Sequence, residues 1–396
     1  MRHIAPGGFA LRLAACLTAV LLAACAAPRG GAGGSVQPDA AHSPSASAGS
    51  PTATARANHA ALWRPGDPQL GAQVLWYASQ NETDAMVRAK ALRVVGYVVG
   101  KNMNSMSLSF PFGTPGPYAD KVSATASTPS VRHLAILMDT AAAAGLRITL
   151  RPLLDEKTLL AKDPLAWRGS LTPADRDAWF RSYARFLAPY LSLAARHHAR
   201  TFVIGAELTS LEQDPRWRGV VTAAHKLFGG EISYDANWDD YVSRRIRLPV
   251  NHLGVDAYFP LTALRDDASV SDIVAGWQKW LDRKSTGKLP GVVLSEVGAP
   301  AEDGAYRHPG VWRGTGKPLN LTVQKNWFAA ACRVARARGM AGLYWWNIDF
   351  HADPAAADPR TDVHSSFLGR PAASAIASCF RDWAAAHRPH TARTTP

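Results

Sequence analysis

From about residue 70 onward, short apolar runs alternate with longer stretches in which apolar positions recur every three to four residues. The runs predict strands over 72–78, 106–110, 147–154, 201–205, 231–235, 253–259, 291–296 and 342–347. The periodic stretches predict helices over 81–95, 131–144, 173–198, 218–228, 270–283, 323–338 and 371–385. Gly145 closes the second of these as a C-cap signal. The strands read as apolar on both faces and end at turn residues, as buried parallel strands should. Only the connection between 231 and 253 lacks a convincing long helix. Eight strand-helix units predict an α/β fold, a single (β/α)8 TIM barrel spanning residues 61–388. The runner-up, a doubly wound sheet, has no Gly-rich nucleotide fingerprint after its first strand.

What lies outside this pattern is equally readable. Arg2 and Arg12 precede an apolar stretch over 13–22 that is too short to span a membrane and ends in Ala23-Ala24-Cys25. A cysteine directly after small residues resembles the lipobox of bacterial lipoproteins. That resemblance implies a signal peptide over 1–24, acylation of Cys25, and an exported protein anchored in the cell envelope. The next residue is Ala26 rather than Asp, which by the same resemblance is compatible with the outer membrane where one exists. Residues 25–60 hold Ala, Gly, Ser, Pro and Thr with almost no large apolar side chain, and are expected to be a flexible tether. A featureless tail covers 389–396.

Composition changes this picture in two places. The formal net charge is +13, with 44 basic residues against 31 acidic ones, and removal of 1–24 leaves about +11. The basic residues are scattered rather than massed, which argues against a nucleic-acid groove. Of the four cysteines, Cys16 leaves with the signal and Cys25 is the acyl site. Cys332 and Cys379 both fall in predicted helices, either as a disulfide or as two buried thiols.

In a barrel of this kind the chemistry sits at the C-terminal ends of the strands. Those ends carry Trp76-Tyr77, Ser109-Phe110, Arg151 and Asp155, Glu207, Asn237-Trp238, Asp256 and Tyr258, Glu296, and Trp345-Trp346-Asn347. Two carboxylates among indoles and phenols suit the cleavage of a glycosidic bond, because aromatic faces stack on sugar rings while the carboxyl pair supplies acid and nucleophile. Glu207 and Glu296 lie on different strands and can converge across the mouth. Burial and a neighbouring negative charge would raise the pKa of the acid, assigned to Glu207.

The stretches Val203-Ile204-Gly205-Ala206-Glu207-Leu208, Tyr234-Asp235-Ala236-Asn237-Trp238 and Gly254-Val255-Asp256-Ala257-Tyr258-Phe259-Pro260-Leu261 occur in that order. Ser295-Glu296-Val297-Gly298 and Tyr344-Trp345-Trp346-Asn347 follow. Together they resemble glycoside hydrolase family 113, within the clan of retaining (β/α)8 glycosidases, over roughly residues 70–385. The resemblance implies endo-β-1,4-mannanase activity, with Glu207 as acid/base and Glu296 as nucleophile. It also implies Tyr258 near the nucleophile and Trp345 or Trp346 under the sugar being cleaved. Trp76, Ser109, Arg151, Asn237 and Trp238 complete the expected substrate-binding set. Many members of the clan place Asn before the acid/base, where it holds the sugar 2-hydroxyl; Ala206 stands there instead. Asn237 and Arg151 are the candidates to replace that donor.

No cofactor is expected. The segment 349–369 is rich in acid and His, with Asp349, His351, Asp353, Asp358, Asp362 and His364, but its spacing is irregular and no metal is assigned to it. The expected partners are a β-linked polysaccharide or oligosaccharide and, through the lipid, a membrane; the chain is expected to act as a monomer. Two other readings stay open: a hydrolase of another β-hexan, such as an exopolysaccharide or amino-sugar polymer, and a non-catalytic carbohydrate-binding envelope lipoprotein.

Overall fold

In the computed structural model, eight parallel strands close on themselves: β1 (Gln69–Leu75), β2 (Ser105–Phe112), β3 (Arg147–Leu154), β4 (Thr201–Ala206), β5 (Glu231–Asn237), β6 (His252–Asp256), β7 (Val293–Val297) and β8 (Gly342–Asp349). Each pairs with its neighbours in sequence, and β8 returns to β1 with Gln69 opposite Gly342. Around them run α1 (Asp84–Gly100), α2 (Val131–Ala143), α3 (Lys157–Leu160), α4 (Arg176–Arg196), α5 (Trp217–Leu227), α6 (Trp238–Ser243), α7 (Val270–Asp282), α8 (Leu321–Ala337) and α9 (Pro371–His387). The fold is a (β/α)8 barrel. The structure describes residues 63–243, 246–311, 315–356 and 365–387. The expected signal, Cys25, the tether and the tail from 389 lie outside the described residues. No described helix is long and apolar enough to cross a membrane.

Helix starts follow capping chemistry. Thr83, Ser130, Asp175, Ser269 and Asn320 each accept a backbone N–H of the first turn, satisfying donors that have no partner inside the helix. Gly145 follows α2 with φ +74°, the left-handed conformation that ends a helix most easily at glycine. The connection after β5 holds only the six-residue α6, in keeping with the weak helical pattern there.

One expectation needs correction. The strands are not apolar on both faces; they alternate. In β1, Leu70, Ala72 and Val74 face the helices, while Gln69, Gly71 and Gln73 point into the lumen. In β2 the inward set is Ser105, Ser107 and Ser109. The lumen is therefore lined by small and polar side chains, among them Gln73, Ser107, Thr149, Thr201, Ser233, Asp235, His252 and Ser295. They enclose a cavity of only about 20 Å³, so the interior is filled rather than a channel. This explains why β1 begins at Gln69 and not at 72: its inward glutamines broke the apolar run without breaking the strand. Gln73 is almost fully buried yet satisfied, donating to the Ser295 carbonyl (2.6 Å) and accepting from Ser109 Oγ (2.9 Å).

The apolar core thus lies between barrel and helices. Phe180 and Tyr183 of α4 pack against Trp217 of α5 with Trp179 stacked on Tyr183, and Trp277 of α7 meets Trp327 of α8. Seven of the twelve Trp among the described residues are fully buried in this layer, so most of these indoles serve packing. A disulfide joins Cys332 of α8 to Cys379 of α9, resolving the two alternatives left by the sequence.

Candidate active site

Alternation along the strands decides which side chains reach the mouth. Inward positions at the ends of β3, β5 and β6 bring Arg151, Asp235 and Asp256 together under it. The Arg151 guanidinium is completely buried and donates from Nε to Asp235 (2.6 Å) and from Nη2 to Asp256 (2.9 Å). The same Nη2 lies 2.7 Å from Glu296 Oε1, an ion pair off the hydrogen-bond axis. Ser295 Oγ donates to the other oxygen of Asp256 (2.9 Å). Such a crowd is possible because β6 carries Gly254, where a Cβ would overlap the Asp235 carboxylate and the Ser295 hydroxyl.

Glu296, only 4% exposed, sits above this cluster with its second oxygen accepting from Tyr258 OH at 2.7 Å. An arginine and a phenol thus each reach one of its two oxygens. Tyr258 is itself pushed well above the usual phenol range by burial and by the Glu296 charge, so it stays a donor.

Glu207 follows β4 directly and adopts φ +53°, an unfavourable conformation for a residue with a Cβ. Neighbouring hydrogen bonds hold it there. Its N–H donates to the Asp235 carbonyl (2.8 Å), and the next N–H, of Leu208, donates to Tyr234 OH (2.8 Å). Tyr234 OH is anchored by donating to Glu212 (2.8 Å). The carboxyl is pushed up to about 7, first by burial. Arg168, 3.4 Å away, pulls it down; the Glu296 charge pushes it up again. Asp256 is driven well above the carboxylate range by burial and by the Glu296 charge, against the pull of Arg151. Asp235 is raised by burial in the same way.

The other expected residues divide. Asn237 and Trp238 are half-buried at the end of β5, and Asn237 uses its carbonyl oxygen to accept the Trp238 N–H (2.8 Å). Trp346 is half-buried, with the Arg151 guanidinium 6.0 Å from its ring; the peptide between Trp346 and Asn347 is cis. Trp76 and Trp345 belong elsewhere, which corrects their assignment to sugar binding. Trp76 is stacked on Phe350 at 3.9 Å and donates to Glu82, while Trp345 packs edge-on to Phe328 of α8, both facing away from the lumen. Ser109 lies below the mouth on Gln73, and Arg151 has no exposed surface. Neither can touch a sugar, so of the two candidates for the 2-hydroxyl only Asn237 remains.

One residue at the mouth, Arg168, escaped the reading of strand ends, and another, Tyr77, was read there but left out of the binding set. Arg168 lies in a turn between α3 and α4, held by Glu156, which accepts from its backbone N–H (3.2 Å) and its Nε (3.1 Å). No periodicity marks such a turn. Tyr77, one residue beyond Trp76, has Lys157 Nζ 4.6 Å from its ring and is pushed up to about 12 by burial and by Asp155. In the acid-rich segment after β8, His351 Nδ1 accepts from Lys90 (2.7 Å), which leaves Nε2 to donate to the Tyr77 carbonyl (2.8 Å). Asp358, Asp362 and His364 lie outside the described residues. Among those described, no three His, Cys, Asp or Glu gather as a metal site.

A buried carboxyl pair, one just beyond β4 and raised by burial, the other on β7 and contacted by Arg151 and Tyr258, can protonate an oxygen and attack a carbon. The sequence model of Glycoside Hydrolase Family 113 matches residues 87–366. The chain belongs to glycoside hydrolase family 113. Solved structures agree on the fold. A family 113 β-1,4-mannanase in a complex superposes with TM-score 0.67 at 16% identity, over 80% of this chain and 99% of that one. The family 113 β-mannanase AaManA from Alicyclobacillus acidocaldarius, in complex with ManMIm, gives 0.65 at 20% identity over 80% and 98%. A family 5 enzyme of Streptomyces cattleya in complex with Manb1-4GlcNAc gives 0.51 at 16% identity over 83% and 82%. No curated protein matches the sequence. As a family 113 glycoside hydrolase, the protein acts on a polysaccharide or oligosaccharide.

Proposed function

We propose that the protein is a retaining endo-β-1,4-mannanase, tethered to the cell envelope through Cys25. The observation that carries the mechanism is the different surroundings of two glutamates: Glu207 is raised to about 7 by burial, and Glu296 is fixed in place by Arg151 and Tyr258. In the first step a Glu296 oxygen attacks the anomeric carbon while Glu207 gives its proton to the leaving oxygen, so the glycosidic bond breaks as the glycosyl-enzyme ester forms. With Glu296 esterified its charge is gone, and the force that kept Glu207 protonated weakens. Glu207, now ionised beside Arg168, takes a proton from water, whose oxygen attacks the same carbon and frees Glu296. Mannan is the first substrate because both family 113 structures compared above are named as mannanases. Ala206 before the acid/base favours a second reading, another β-hexan, since the usual 2-hydroxyl donor is missing there.

The test has two parts. Glu296→Ala should abolish hydrolysis of an activated aryl glycoside, and added azide should restore it as a glycosyl azide of inverted configuration. Full hydrolysis by that variant would sink the assignment. A panel of β-mannan, β-glucan, β-galactan and amino-sugar polymers, scored for new reducing ends, then separates mannan from the other β-hexans. Asn237→Ala should raise KM for the preferred polymer; unchanged KM and kcat would remove Asn237 as the 2-hydroxyl donor.

A further inference from the structure

The basic residues are scattered in the sequence, but the barrel does not leave them scattered in space. Every helix-to-strand connection of a (β/α)8 barrel lies at the face opposite the mouth. Here those segments are residues 63–68, 101–104, 144–146, 197–200, 228–230, 246–251, 283–292 and 338–341. They contain eight Lys or Arg and a single acid, Asp67. The described strand-to-helix connections, which surround the mouth, carry fourteen Asp or Glu against nine Lys or Arg. The described connections at the base are therefore net positive and those around the mouth net negative.

Part of the positive charge at the base has a local cause. Lys226 and Arg336 sit in the last turns of α5 and α8, where a cation complements the helix dipole. Lys288 Nζ likewise donates to the carbonyl of Ala337, the last residue of α8 (2.7 Å). That cause does not extend to Arg64, Arg200 and Arg247, which lie beyond the helices and are exposed. The acids at this end are already engaged: Glu231 accepts from Arg147 (2.6 Å), Asp282 pairs with Arg338, and Asp67 accepts the Arg64 N–H. Trp63, six residues before β1 at this face, packs against Arg147 and Arg200 at 5.3 and 5.7 Å.

We infer that the base of the barrel is a docking surface for an anionic lipid bilayer, which turns the active-site mouth away from the membrane. The charges act without an acyl chain, so the inference goes beyond anchoring by Cys25, and it is independent of which glycan the mouth cleaves. Each Lys or Arg close to an anionic bilayer contributes about 1 kcal/mol, and the attraction fades within a Debye length of about 8 Å in physiological salt. A base that touches the surface feels this field, whereas a mouth on the far side, a barrel length away, does not. For an enzyme that works on a polymer, the geometry keeps the cleft open to chains arriving from solution.

The experiment uses residues 26–396, which hold the whole compact unit (55–396) and no acyl site. Binding is measured by co-sedimentation with phosphatidylcholine vesicles, with and without 30% phosphatidylglycerol. Two triple variants remove the same three charges. One, at the base, is Lys226→Gln/Arg247→Gln/Arg336→Gln. The other, at the mouth rim, is Lys121→Gln/Lys162→Gln/Lys317→Gln. The base variant should lose about a hundredfold in partitioning to anionic vesicles, the rim variant less than about threefold, and 0.5 M salt should erase the difference. Glycan hydrolysis by both variants reports that they are folded. Equal losses from the two sets would reduce the effect to net charge and overturn the inference, as would wild-type binding indifferent to phosphatidylglycerol. Tighter binding to polygalacturonate than to anionic vesicles, lost only in the base variant, would replace the lipid by an acidic polymer. A dye on Arg247→Cys should also respond to anionic vesicles when one on Lys162→Cys does not; the reverse pattern would place the mouth, not the base, on the bilayer.

Discussion

The Glu207 carboxyl answers to opposing neighbours. Burial and the Glu296 charge hold its proton on, while Arg168 at 3.4 Å favours its release. Activity that needs a protonated Glu207 in the free enzyme should fall as pH rises through about 7. Replacing Arg168 by Gln removes the influence that lowers the pKa, so the alkaline limb of the kcat/KM profile should move up by about one unit, and Arg168→Lys should move it less. An alkaline limb that stays in place in Arg168→Gln would show that the arginine does not set the acid. Arg168 was invisible in the sequence because its partners are twelve and thirty-nine residues away and its turn has no repeating pattern. Glu207 and Glu296 were legible because a barrel puts strand ends in one place whatever the distance along the chain.

At the scale of the strand, parity governs function. Trp345 and Trp346 are neighbours in sequence and opposites in space: one is sealed against α8 and α9, the other half-open above Arg151. Trp345→Ala should therefore cost about 3–5 kcal/mol of stability through the cavity it leaves, with KM unchanged in the protein that remains folded. Trp346→Ala should do the reverse, losing about tenfold or more in kcat/KM with a change in stability below about 1 kcal/mol. Denaturation midpoints and steady-state kinetics on the two variants would check both. The count and order of strands could be read from the chain, since helix-facing positions are apolar everywhere. The inward face could not be read as buried, because Gln73, Ser107, Arg151 and Asp235 look like surface residues until their partners across the barrel are known. The same blind spot placed Trp76 and Trp345 in the sugar site, where an aromatic at a strand end has even chances of pointing either way.

For the whole molecule, buried acids couple stability to pH. A carboxyl whose folded pKa lies above its unfolded one binds more protons in the folded state. Its favourable contribution is complete below about 4.5 and is lost as pH rises through about 7 for Glu207. Asp235 and Asp256 act in the same direction. Glu82 and Asp214, lowered against their burial by Lys90 and by Arg216 with Arg176 respectively, oppose it, losing their contribution as pH falls into the acid range. Glu207→Gln should accordingly raise Tm by several degrees at pH 8 and by little at pH 4.5, at the expense of activity. A Tm difference that is the same at both pH values would show that Glu207 is not ionised at a cost in the folded protein.

The amino-acid sequence by itself determined the eight-unit barrel, the family resemblance and the candidate pair of glutamates, because helix periodicity and strand-end residues are local features that one chain displays in order. Tertiary structure alone decided the rest. It set which aromatics face the lumen, paired Cys332 with Cys379, surrounded Arg151 with three carboxylates from three strands, and brought Arg168 to the acid. It also gathered net positive connections at the base of the barrel and net negative ones around the mouth. The physical reason is common to all of these. Electrostatic and packing interactions depend on distance in space, and closing the barrel brings together residues that the linear chain keeps a hundred positions apart.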